Sequence, residues 1–116
     1  MQKTINDEFG NPIGKIDTNT SLNTMREECP NFFRKPHGKR ETFTIYRGQI
    51  IVRNTVQFTN MPPTRRTVAY LYLVDQKDMS YISADSSINV AKAKRLIDKI
   101  LDNDFYGNGH STVPDY

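Results

Sequence analysis

Tryptophan is absent from this 116-residue chain, cysteine occurs once and histidine twice. The single cysteine, Cys29, excludes an internal disulfide framework and fits a reducing compartment. Structural zinc needs four well-spaced ligands. Cys29, His37 and His110 fall in three separate regions without paired spacing, so no metal or other cofactor is expected. Long apolar runs are missing too: nothing approaches the roughly 18 residues a membrane helix needs. The opening stretch "MQKTINDEFG" lacks the apolar core of a secretory signal. Hydrophobic residues make up 36% of the chain and mean hydropathy is −0.66, which implies a modest core and a polar surface. Together these absences point to one small cytoplasmic domain.

Catalytic signatures are equally scarce. No G-x-S-x-G, P-loop or G-x-G-x-x-G pattern occurs. Cys29 follows Glu27 and Glu28, whose negative charge raises a thiol pKa and so weakens a nucleophile. The other carboxylates fall mostly in turns and at helix ends, where solvation and capping account for them. A non-enzymatic protein is the expectation.

Positive charge, by contrast, is concentrated. The net charge of +3 hides a segment from residue 34 to 66 with eight basic residues against one acid, Glu41. They are Arg34, Lys35, Lys39, Arg40, Arg47, Arg53, Arg65 and Arg66. The rest of the chain holds eight basic and twelve acidic residues. Clustered positive charge raises the local concentration of polyanions and acidic partners.

Hydrophobic periodicity divides the chain into three zones. Residues 1–40 read as a polar arm, in which "FGNPIG" is able to turn a short hairpin between Ile5/Phe9 and Ile13/Ile16. "DTNTSLNT" looks too polar to bury itself and reads as a linker. Residues 41–104 carry the domain, and 105–116, rich in Gly, Asn and Pro, form a flexible tail.

Within the domain, apolar–polar alternation predicts strands near 42–47, 49–59, 67–74 and 79–84. The phase breaks at Arg47-Gly48, as at a tight hairpin turn, and "NMPPT" must be a loop because two prolines remove two ladder donors. "RRTVAYLYLV" is apolar on both parities, so its strand is covered on both faces, or central with one face open to a partner.

The last element is predicted as a helix near 86–102, capped by Asp85 or a following serine. Its stripe is Val90, Ala93, Leu96, Ile97, Ile100 and Leu101, with Lys94 and Asp98 spaced to pair. The predicted fold is α+β: a four-stranded antiparallel meander packed by one C-terminal helix, with flexible N- and C-terminal segments.

Two functions compete. In the first, the chain is a small DNA-binding regulatory module. Arg53, with Thr55, Gln57 and Thr59, decorates one parity of the second strand, and such side chains contact phosphates and base edges. "RKPHGKR" upstream and Arg65-Arg66 downstream bracket that strand, while Tyr70 and Tyr72 would stack on bases if they face outward. The order strand-strand-strand-helix over about residues 42–102, with "YRG" at 46–48 and a helix after a serine-rich turn, resembles small DNA-binding domains that read a groove with a sheet, such as the integrase arm-binding type. The resemblance is one of architecture: it implies an open sheet face laid in a groove and carries no residue across. In the second reading, the chain is a protein-binding accessory or inhibitor module of a mobile genetic element. It would act through the sheet face on an acidic protein partner, or as a homodimer.

Overall fold

At Arg47-Gly48 the backbone adopts left-handed φ angles of 51° and 73°, and Tyr46 pairs directly with Gln49. That is the two-residue turn whose twist matches a hairpin. It joins β3 (Lys39–Tyr46) to β4 (Gln49–Val56). β5 (Thr64–Leu73) and β6 (Asp78–Asp85) follow in an antiparallel sheet of order β3-β4-β5-β6. Ahead of the sheet lie the hairpin β1 (Gln2–Asn6) and β2 (Pro12–Asp17), then two short helices, α1 (Leu22–Glu28) and α2 (Pro30–Arg34). After it comes α3 (Val90–Asn103). The structure, a computed structural model, describes residues 2–7, 9–34, 39–56, 59–85 and 88–103. The architecture is α+β, a four-stranded meander with a C-terminal helix, as the periodicity predicts.

Both faces of the sheet are covered. On one, Ile51, Ala69, Leu71, Leu73 and Ile82 pack against the α3 stripe of Ala93, Leu96, Ile97, Ile100 and Leu101. Ile5 and Ile16 of the β1–β2 hairpin are fully buried in the same cluster. On the other face, Ile50 and Tyr72 pack with Met25 of α1 and Cys29, bordered by Phe32, Phe33, Phe43 and Tyr70. β5 is therefore buried on both parities, the first of the two options its composition left open.

Polar groups lock these layers. Gln49 is fully buried, and its Oε1 accepts from the Tyr72 amide at 2.9 Å, while its Nε2 donates to the Arg47 carbonyl. The side chain thus supplies an acceptor to β5 just past the last described β4–β5 pair, Ile50–Tyr70. The Tyr46 hydroxyl donates to Asp98 on α3, and Arg47 donates to both Asp98 and Asp102 at 2.9 and 3.0 Å. The β1–β2 hairpin is tied to the β5–β6 turn through Lys15, whose amide donates to Asp75 and whose carbonyl accepts from Val74.

Several expectations need correction. The stretch read as a linker, residues 17–24, runs into the start of α1, because Leu22, Met25 and Cys29 at helical spacing provide an apolar stripe, and Ser21 caps the helix by accepting from the Thr24 amide. The N-terminal segment up to α2 is consequently part of the core rather than an arm. α3 begins later than expected. β6 stays paired through Asp85, opposite Thr67, and Asn89 caps the helix by accepting from the Lys92 amide. Asp98 pairs with Tyr46 and Arg47, while Lys94 lies 5.5 Å from the Tyr46 ring centre in a cation–π contact. Thr59 lies in a turn past the end of β4, and Gln57, Phe58, Ser86, Ser87 and the tail from 104 onward are outside the described residues.

Candidate nucleic-acid interface

The two-residue turn fixes the register of β3 against β4, and that register places Thr42 opposite Arg53. Across the next strand pair Arg53 faces Thr67, and Thr55 faces Arg65. Directly paired residues present their side chains on the same face of a sheet, so these positions gather at one end. Thr42, Arg53, Thr55 and Arg65, with Asn54 between, line an open pocket of about 150 Å³. No acidic residue lines it among the described residues. Arg53 and Arg65 are exposed and have no ion-pair partner among the described residues.

Two guanidiniums and the Thr55 hydroxyl around one small polar pocket form a donor set for a phosphate or carboxylate group. Guanidinium forks bind such oxygens bidentately. The Thr55 hydroxyl adds a neutral donor, while that of Thr42 donates to the Arg53 carbonyl at 3.5 Å. The Oδ1 of Asn54, on the face that alternation turns away from Arg53 and Thr55, is buried without a hydrogen-bond partner among the described residues. An unsatisfied buried acceptor costs about 1–3 kcal/mol.

The remaining basic positions distribute unevenly. Lys39 and Arg40 open β3, and the Lys39 backbone lies opposite Thr55, which puts both at the same sheet end. Their side chains, and Lys35 and His37 entirely, fall outside what the structure describes. Arg66, exposed and paired with Asn54, lies between Arg65 and Thr67 in β5, so strand alternation turns it to the opposite face. Its charge is felt by the Tyr70 phenol: burial and Tyr81 push that hydroxyl's pKa up, and Arg66 pulls it back. Arg34 is exposed at the end of α2. Arg47 departs from the group. It sits at the other end of the β3–β4 hairpin and is committed to Asp98 and Asp102.

The open stacking face does not exist at the centre of the sheet. Tyr72 is buried and Tyr70 half-buried beneath α2, with Tyr70 in edge contact with Phe32 at 4.8 Å. The groove-lying mode implied by the resemblance to sheet-reading domains therefore has no free central face, because α1 and α2 occupy it. Sequence patterning alone misses Thr42 as a site residue, although the Arg47-Gly48 turn sets it opposite Arg53.

Cys29 is buried and donates to the Lys77 carbonyl. Burial first, then Asp78 and Glu28, push its pKa up to about 11, the opposite of what a nucleophile needs. Among the described residues there is no group of three His, Cys, Asp or Glu able to hold a metal ion. No helix among them is long and apolar enough to cross a membrane. In comparisons with known proteins, the chain matches no family model, no curated protein and no solved structure.

Proposed function

We propose that this chain is a non-enzymatic nucleic-acid-binding module, DNA by preference, that grips the phosphate backbone with the end of its sheet where β4 meets β5. The observation that carries the reading is the pocket of Thr42, Arg53, Thr55 and Arg65, whose two arginines are exposed and lack acidic partners among the described residues. Arg47, a structural arginine, looks different: it is neutralised by two aspartates. Arg66, on the opposite face of β5, and the backbone of Lys39 and Arg40 in β3 lie at the same end of the sheet, and a regulatory role would follow from binding without chemistry.

Fluorescence anisotropy on a short duplex across a salt series tests this. Binding is expected to weaken steeply with salt through counterion release. Replacing Arg53 and Arg65 together by Gln is expected to lower affinity. The salt slope should flatten by roughly one for each phosphate no longer neutralised, with thermal stability unchanged because both side chains are exposed. Absence of binding by the wild-type chain at low salt would overturn the reading. An acidic protein captured from lysate after nuclease treatment would then point to a protein partner instead.

A further inference from the structure

On the β6 side β4 and β5 run on past the last described pair, while on the other side β3 accompanies β4 as far as Thr55. The described pairing of β6 with β5 reaches Asp85 opposite Thr67. β4 and β5 remain paired beyond that point through Asn54–Arg66, Thr55–Arg65 and Val56–Thr64. Of these, only Val56–Thr64 lies past the last described β3 pair, Lys39–Thr55, so the tip clear of both neighbouring strands is that pair and the loop beyond it.

The described part of that loop, Thr59 to Pro63, is exposed throughout, and Asn60 turns it with a φ of 64°. Its leading residues are apolar. Met61 is 62% exposed, and Pro62 and Pro63 follow it. Phe9 is more exposed still, at 80%, but it sits in a turn built on the Asp7 carboxylate, which accepts from the Phe9 and Asn11 amides. Among the described residues, only the β4–β5 tip combines an apolar apex with flanking arginines. Arg53 and Arg65 stand on one face of the ribbon and Arg66 on the other.

We propose that this tip is a DNA wedge: Met61 and the adjacent prolines enter the minor groove and part a base step, while the arginines on the two faces hold the two phosphate walls. This rests on the nucleic-acid reading above and specifies duplex DNA, bent on binding, as the ligand. The chemistry suits each part. A methionine side chain is flexible and apolar, and it has no hydrogen-bond donor to strand between stacked bases. Proline has no amide N–H to desolvate and holds the apex rigid.

The minor groove is about 6 Å wide and 7.5 Å deep, so the apex fits and the ribbon stops at the walls. There Arg53 and Arg65 meet one backbone and Arg66 the other. Apolar wedges of this kind kink duplexes by roughly 20–90° toward the major groove. The same division of arginines between two faces gives a flat surface no advantage, because only one face at a time would meet it.

The test uses the full chain and a duplex of about 30 base pairs, a length suited to measuring site bending. The duplex carries dyes at both ends for energy transfer and a fluorescent adenine analogue at central TA steps. Wild type is expected to raise end-to-end transfer and to brighten the analogue as stacking is lost. The variant Met61→Ser with Pro62→Ser and Pro63→Ser is expected to lose both signals while retaining salt-dependent binding and an unchanged melting temperature. Binding by wild type without a change in either signal overturns the wedge and leaves the nucleic-acid reading standing. Equal bending by the variant also overturns it. Failure of wild type to bind the duplex at all overturns both.

Discussion

Gly48 shows how one residue is held by requirements from two directions. Its φ of 73° serves the hairpin turn, and a Cβ there would lie 2.1 Å from the Asp17 carbonyl oxygen of β2. Gly48→Ala is therefore expected to cost more than about 2 kcal/mol, combining left-handed backbone strain with a clash against main chain. Thermal or urea unfolding measures it, and a variant within experimental error of wild type would refute the close approach. The turn itself was legible, since apolar–polar alternation changes phase at Arg47-Gly48. The approach of β2 was not, because nothing local encodes which backbone arrives from so far back in the chain. Cys29 makes a similar point. Its acidic chain neighbours were visible, but burial is the largest cause of its raised pKa, and Asp78 comes from another element. The folded state keeps the thiol protonated up to about pH 11, whereas the unfolded chain releases its proton at the ordinary thiol pKa. The stability from this group is thus complete below the unfolded value and is lost as pH rises from there toward 11. A Cys29→Ala variant is expected to show a flatter decline over that window. Wild-type thiol is expected to react with a disulfide reagent at neutral pH only as fast as the protein opens.

Among the elements, α3 was the most readable and α1 the least, for a common reason. Five α3 stripe residues, from Ala93 to Leu101, are buried, and that density of apolar residues at helical spacing overwhelms alternative readings. α1 has only Leu22, Met25 and Cys29 to offer among polar residues, and its helicity depends on a sheet face already being there to receive them. Leu96→Asp is expected to destabilise by more than about 4 kcal/mol, since it puts an unpaired charge into the core. Arg95→Asp, on the exposed side, is expected to leave the melting temperature within a few degrees. Equal melting of the two would mean the helix face is misassigned. The link between α3 and the hairpin turn is open to its own test. Asp98 accepts from Tyr46 and Arg47, so Asp98→Ala is expected to cost about 1–3 kcal/mol. After Tyr46→Phe and Arg47→Ala the same change is expected to cost little, and independent, additive effects would show that these side chains do not act together.

The molecule as a whole is organised by a sheet that cannot stand with one face bare. The basic region was readable in outline from charge alone, but its division was not. Register gathers Arg53, Arg65 and the start of β3 at one end, while Arg47 is drawn to α3 at the other. The even-numbered residues of β5, Val68, Tyr70 and Tyr72, have the composition of a surface for a partner, yet the partner is the chain's own N-terminal segment. Ile50 and Tyr72 are buried against Met25 and Cys29, and Ile5 and Ile16 complete the cluster around α3. A fragment of residues 39–103 would contain every strand of the meander and its helix but would leave the α1–α2 face in water. An apolar sheet face with aromatic residues, exposed over a wide area, favours association over a soluble monomer. That fragment is expected to lose its cooperative thermal transition, to bind a hydrophobic dye and to self-associate on a sizing column. Adding a peptide of residues 1–34 in trans is expected to restore part of the transition, because both clusters draw on that segment. A fragment that melts cooperatively near the full-length temperature would instead place the stability in the meander and α3 alone, with the N-terminal third riding on a finished domain.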